Sequence, residues 1–247
     1  MPVRLLAIPG SHPCAAVQAM LDAKQVPYTR ADLFPALSRL WLRATGFREG
    51  TVPALRLDGA RVQGTRAIAR ALDATWPDPP LVPADPDVRA RIEEIEAWAD
   101  GPLQTAARRI VLWSLLRSPE GVRAALAGAR LPFRLPVSIA AVPPVAWPVL
   151  AVDAALNGAR TPAVRAALRR LPEMLDRADA WIARGDLGRS PPTAADYQVA
   201  GCVRLLITVE DLTAMLDGRP VAVLARRLIA VFPGRIPAGV LPAAWVR

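Results

Sequence analysis

The apolar positions of this chain fall into two regimes that meet near residue 77. In the first, short continuous runs alternate with helical patterns. Residues 3–8, VRLLAI, are an unbroken apolar run closed by Pro9-Gly10, which predicts a buried strand. Residues 14–25, CAAVQAMLDAKQ, put Val17, Met20 and Leu21 on one helical face. After a break at Pro27, residues 28–34, YTRADLF, fit a second strand. The runs VPALRL and ARVQG flank Asp58-Gly59, a strong hairpin signal, and a helix is expected from Thr65 to about Thr75. The predicted order is β-α-β, an irregular or helical stretch, then β-β-α.

In the second regime the strand signals vanish. The segment WPDPPLVPADPD, residues 76–87, is proline-rich and polar, as a linker would be. Beyond it, Ile92, Ile95, Trp98 and Leu103 follow helical spacing. Residues 161–185 form another amphipathic pattern, with Thr161 expected as the cap, Pro162 in the first turn and Gly185 as a stop. Thr193-x-x-Asp196 has the spacing of a capping box ahead of Val199, Cys202 and Leu205. The expected organisation is a small α/β domain over residues 1–77, a linker at 78–86 and an all-helical domain over 87–247.

Composition narrows the function classes. Of 247 residues, 53% are hydrophobic and 21% charged, enough to bury a core and too apolar for disorder. The net charge is +9, and Lys24 is the sole lysine. The arginines are scattered along nearly every predicted helix and aromatics are only 5%, so no basic, aromatic-laced nucleic-acid patch is expected. Two distant cysteines and an N-terminal run too short for a secretory segment point to free thiols in a reducing cytoplasm. One histidine and two cysteines supply no compact metal site.

One stretch breaks the helical pattern. Residues 131–158 are long, apolar and proline-broken, with 18 uncharged residues from Leu135 to Val152. Pro143, Pro144 and Pro148 argue against a straight transmembrane helix. Three readings stand: a hydrophobic lid, a dimer contact, or a membrane-surface anchor.

The candidate chemistry centres on PGSHPC, residues 9–14. Ser11 stands at the mouth of a helix, where its hydroxyl either caps the helix or donates to a bound anion. Ser-x-x-Cys lacks the first thiol of a dithiol redox pair, so Cys14 is expected to be structural. His12 adjoins Ser11 and does not share its face, so a solvent-facing or ligand-rim position is expected.

These segments together resemble the glutathione transferase superfamily. SHPC followed by a helix is similar to the theta-class start, Ser-Gln-Pro-Cys. TVPALRLDGARVQGTRAIARAL resembles the superfamily's Val-Pro-Ala-Leu, hairpin, acidic residue-Ser and helix. GRSPPTAADYQVA resembles the entry to its buried second-domain helix. The resemblance covers about 75 N-terminal residues well and the region around 193–206 moderately. It implies a thioredoxin-like α/β N-terminal domain, an all-α C-terminal domain and a homodimer. It also implies a cis Pro53 that presents the Val52 backbone to a thiol ligand, Ser11 as thiolate stabiliser, and Thr65 at a carboxylate site. Arg43, with Arg39 and Arg48 nearby, lies in the segment that contacts the far carboxylate. Gly64 replaces the usual acidic residue, which opens the co-substrate to glutathione or another low-molecular-weight thiol. The activity implied is conjugation or isomerisation of a small apolar electrophile, a detoxification chemistry. The rival is a non-catalytic binding or scaffolding protein on the same fold, with a membrane surface contacted through 131–158 in either case.

Overall fold

The structure is a computed structural model that describes residues 2–126 and 143–246. The first domain runs β1 (Val3–Ala7), α1 (His12–Ala23), β2 (Thr29–Asp32), α2 (Pro35–Ala44), β3 (Ala54–Leu57), β4 (Ala60–Gln63) and α3 (Thr65–Thr75). The sheet order is β2-β1-β3-β4, with β1 parallel to β2 and antiparallel to β3, and β3 antiparallel to β4. This is the thioredoxin-like arrangement expected from the sequence.

Strand alternation divides the side chains between two layers. Leu5 and Leu55 point to α1 and α3 and pack with Val17, Met20, Leu21, Ile68 and Leu72. Leu6 and Ala54 point the other way, against Leu42 of α2 and Phe47. At the hairpin tip, Asp58 and Gly59 have φ of +47° and +85°, the left-handed pair that a tight two-residue turn requires.

The connection to the second domain is held by Lys24. Its ammonium is fully buried, donates to the Pro79 carbonyl at 2.7 Å and to the Trp76 carbonyl, and pairs with Asp73 at 2.8 Å. Three donors meet three acceptors, which is what burying an ammonium demands. Asp73 also accepts from the Leu81 and Val82 amides, and Leu81 is itself buried.

The helical domain comprises α4 (Pro86–Trp98), a π-helical turn (Ala99–Leu103), α5 (Gln104–Leu115), α6 (Pro119–Leu126), α7 (Pro143–Leu156), α8 (Thr161–Ala183), α9 (Ala194–Ile207), α10 (Thr213–Leu216) and α11 (Pro220–Leu228). The π turn contains Gly101 and Pro102, whose missing N–H interrupts the ladder between α4 and α5. Thr161 is not the cap of α8. Arg160 takes that position, and the Thr161 hydroxyl accepts from Trp113 Nε1 at 3.2 Å. Of the apolar stretch at 131–158, residues 131–142 lie outside the described residues. The remainder forms α7, which packs on α5 and α6. Among the described residues no helix is long and apolar enough to cross a membrane.

Helix α9 is buried on every side from Ala194 to Val203. Asp196 organises its entry, accepting from the Thr193 amide at 2.7 Å, the Thr193 hydroxyl at 2.8 Å and the Gly188 amide at 2.6 Å. On one flank α9 meets α1 across the domain boundary, and the approach is closest at Gly201. A Cβ placed there would lie 2.8 Å from the His12 carbonyl oxygen and 3.5 Å from Ala16 Cβ. The contact is to backbone, so it cannot be relieved by a side-chain rotation.

Helix propensity alone would make Gly201→Ala stabilising by about 0.5–1 kcal/mol. The clash reverses that sign, and we expect a net loss of about 1–3 kcal/mol. Thermal unfolding of the variant beside the wild type checks it, and an unchanged or higher Tm contradicts the contact.

Candidate functional site

The sheet register gathers the candidate residues at one edge. Leu6 of β1 pairs with Ala54 of β3, which pairs with Gln63 of β4. The chain after β1, the chain before β3 and the chain after β4 therefore emerge together. They carry Ser11 at the N-cap of α1, Val52 and Pro53, and Thr65 in the first turn of α3. The Val52-Pro53 peptide is cis, and the Pro53 carbonyl accepts from the Gly64 amide at 3.0 Å. Two helix N-termini thus face this edge, each with positive potential.

Neither helix spends that potential on a side-chain cap. Ser11 is extended (φ −74°, ψ 113°), and its hydroxyl makes no capping hydrogen bond. Burial pushes the Cys14 thiol up, and a hydrogen bond from the Ser11 hydroxyl opposes the rise. Cys14 is a buried, free thiol packed in the first-domain core. Gly64 caps α3 with φ +82°, a conformation that favours glycine over any other residue, and an added Cβ would meet open space. Thr65 is buried directly behind it. Arg43 lies exposed in the last turn of α2, just before Thr45, whose carbonyl receives Arg56 and Arg61 toward the hairpin turn.

His12 differs from the expectation of a solvent-facing or rim histidine. It is 3% exposed, lies 3.1 Å from the Gln104 side chain, and has its carbonyl against α9. Burial lowers its pKa to about 3, with the charge of Arg108 acting in the same direction. Arg108 also pulls down the pKa values of Asp100 and Asp153, each raised chiefly by burial. An arginine on α5 therefore holds positive potential behind the first turn of α1.

The domain boundary beside α3 is polar as well. Glu96 of α4 is fully buried and accepts both arms of Arg70, the longer at 2.6 Å, as well as Gln198 Nε2 at 2.8 Å. Such fork-on-fork pairing fixes α3 against α4 with defined geometry.

On the other side of Ser11 a cleft of about 890 Å³ runs along α1. Its floor is Ala15, Ala19 and Ala23, spaced by four residues so that they share one face. Its far wall is the chain from Leu228 to Gly234, with Phe232 and Ile229, and Gln18, Asp22 and Arg30 add polar groups along its length. Val52, Pro53 and Thr65 are not part of this lining, so Ser11 stands between the strand edge and the cleft. The C-terminal wall carries no local sequence signal and was not anticipated. Among the described residues the alanines of this face are half-buried, packed in part against both cores.

Residues 5–80 match the family model of the glutathione S-transferase N-terminal domain. Among solved structures, the chain is similar to a glutathione S-transferase from Rhodospirillum rubrum F11, with 19% identity, a TM-score of 0.59, and coverage of 99% of this chain and 98% of that one. It is similar to FzlA from C. crescentus at 17% identity and a TM-score of 0.59, over 100% of this chain and 98% of that one. It is also similar to a Methylobacterium radiotolerans glutathione S-transferase in complex with glutathione sulfonate, at 22% identity and a TM-score of 0.52, covering 92% and 90%. At these identities the likeness is one of fold. No curated protein matches the chain in sequence.

The buried His12 predicts a pH dependence of stability. Its pKa is about 3 folded against 6.5 unfolded, so between those values the unfolded chain binds the extra proton. Stability is complete above the unfolded value and falls by about 1.4 kcal/mol per pH unit as the solution is acidified below it. From pH 7 to pH 5 the wild type should lose on the order of 2 kcal/mol more than His12→Gln in urea unfolding. Parallel curves for the two proteins contradict the assignment.

Proposed function

We propose that this chain, a member of the glutathione S-transferase superfamily by its N-terminal domain and its fold, is a thiol transferase that joins a low-molecular-weight thiol to a small apolar electrophile. The observation that carries the reading is the position of Ser11, between the edge where Val52, Pro53 and Thr65 converge and the open cleft along α1.

In this reading the thiol's peptide-like portion lies along the Val52 backbone beside the cis peptide. Its carboxylate is taken by the free amides and the Thr65 hydroxyl at the N-terminus of α3, where a negative charge is favoured. The sulfur then sits at the mouth of α1. The Ser11 hydroxyl donates to it, and the helix N-terminus adds positive potential; both favour thiolate over thiol. The thiolate attacks the electrophilic carbon of a molecule in the cleft, forming a C–S bond while the leaving group departs with the displaced electron pair. Addition to an activated double bond ends instead with a proton taken from water. Cys14 and Cys202 take no part: both are buried, and burial raises both thiols, Cys202 to about 12.

Gly64 bears on which thiol is used. It stands where the resemblance places an acid that would pair a ligand ammonium, and the glycine offers no side chain for that purpose. The position supports a thiol recognised by its carboxylate and backbone amides. It also supports the rival reading of a binding protein without turnover.

The test is a thermal-shift panel of low-molecular-weight thiols, glutathione included, followed by turnover with model electrophiles. A thiol that binds only the folded state raises Tm in proportion to ln(1 + [L]/Kd). We expect a millimolar thiol to raise the wild-type Tm, and Thr65→Val to weaken binding about 10- to 100-fold through loss of a charge-assisted hydrogen bond. Ser11→Ala should retain binding and lose about 10²–10³ in turnover. Binding without turnover in the wild type supports the binding-protein reading. No shift with any thiol rejects the transferase reading.

A further inference from the structure

Helix α2 is apolar on two faces. Its inner face seats Leu42 and Ser38, both buried, under the sheet. Its outer stripe is Leu37, Leu40 and Trp41, spaced three and four apart, and these side chains are 58, 68 and 56% exposed. This ten-residue helix thus carries three of the seven large hydrophobics exposed among the described residues. Scattered single exposures are ordinary, whereas a stripe on one short helix marks a contact surface.

The charge carried by α2 itself is of one sign. Arg39, Arg43 and Arg48 are exposed, and residues 35–48 contain no acid. None of the three arginines forms an ion pair among the described residues. That pattern selects the occupant. A symmetric contact with a second copy would set these three arginines against themselves, and the adjoining exposed acid, Glu49, already accepts from the Thr51 hydroxyl at 3.3 Å. The helix is also a convex ridge rather than a groove, so it suits a deformable surface better than a folded acidic partner. Leucine and tryptophan at the level of lipid headgroups, flanked by arginines whose stems extend along apolar surface to anionic groups, satisfy every group present. The net charge of +9 adds long-range attraction to the same surface.

We propose that α2 docks this protein reversibly on an anionic lipid surface through Leu37, Leu40 and Trp41. Because α2 covers the sheet face opposite α1 and α3, docking through α2 would set the lipid on the far side of the sheet from the cleft along α1. The inference stands apart from the thiol chemistry and from the apolar stretch at 131–158.

The experiment is co-sedimentation with vesicles of phosphatidylcholine alone and of phosphatidylcholine mixed with phosphatidylglycerol, at low and high salt. The wild type should bind the mixed vesicles, bind phosphatidylcholine alone weakly or not at all, and release as salt rises. Leu40→Glu and Trp41→Glu should each lower binding by roughly tenfold or more. The double variant Arg39→Gln/Arg48→Gln should weaken it and flatten the salt dependence. All these side chains are exposed, and an unchanged Tm for each variant shows that folding is intact. Equal sedimentation with both vesicle types, or full binding by Trp41→Glu, overturns the proposal. So does a wild-type dimer in light scattering that Trp41→Glu disperses while vesicles bind neither protein. Binding to soluble polyglutamate in place of vesicles, lost in Trp41→Glu, reassigns the face to an acidic protein and equally overturns it.

Discussion

The close approach of α1 to α9 is the contact on which the remaining architecture depends. At Gly201 the two helices meet with a backbone oxygen where a Cβ would stand, and His12 and Ala16 are buried at that contact. A side chain at this point would have to push the His12 backbone aside. The cost of a glycine inside a helix is about 0.5–1 kcal/mol, small beside the apolar surface the contact removes from water. Because α9 is itself buried nearly all round, it has no freedom to move aside, and the Asp196 network at its entry fixes where it begins.

That constraint has a functional consequence. Helix α1 supplies the Ser11 end of the candidate site, and it is held from behind by the second domain rather than by its own sheet alone. Polar ties flank the apolar contact on either side. Lys24 binds the far end of α1 to the linker, and Glu96 receives Arg70 and Gln198 where α3 meets α4. Removing one partner from such a buried pair leaves an uncompensated charge, so these ties specify one domain arrangement more than they add stability. Both helices whose N-termini face the site, α1 and α3, are thereby positioned by the helical domain. The site is a product of the two domains even though every residue proposed to hold the thiol comes from the first.

The cleft-lining face of α1 and the outer stripe of α2 lie on opposite sides of the same sheet. A four-stranded sheet with helices on both faces must leave some helix surface to solvent. Here one such surface is small and recessed, made of alanines at every fourth position, and the other is bulky and protruding.

Local signals were legible from the amino-acid sequence because the physics behind them is local. Asp58-Gly59 adopts the two left-handed conformations its turn requires. The helix from Thr65 to Thr75 follows from neighbours within a few positions, and Asp196 reaches Thr193 within a single turn, whereas the cis Val52-Pro53 bond was expected from the family resemblance. The order of these elements along the chain was enough to identify a thioredoxin-like domain followed by helices. What depends on partners remote in sequence was not legible. His12 is buried because α5 and α9 close over it, and Lys24 is neutralised by acceptors some 50 residues away. Arg160 stands at the cap of α8, and the Thr161 hydroxyl inside the first turn accepts from Trp113, 48 residues away. The wall of the cleft is formed by a C-terminal segment without periodicity or motif. By itself the sequence determined which elements form and in what order, since φ/ψ preferences and hydrophobic period act over a few residues. Tertiary structure alone decided which polar groups are buried and which apolar faces stay open, since desolvation depends on everything that packs around a group.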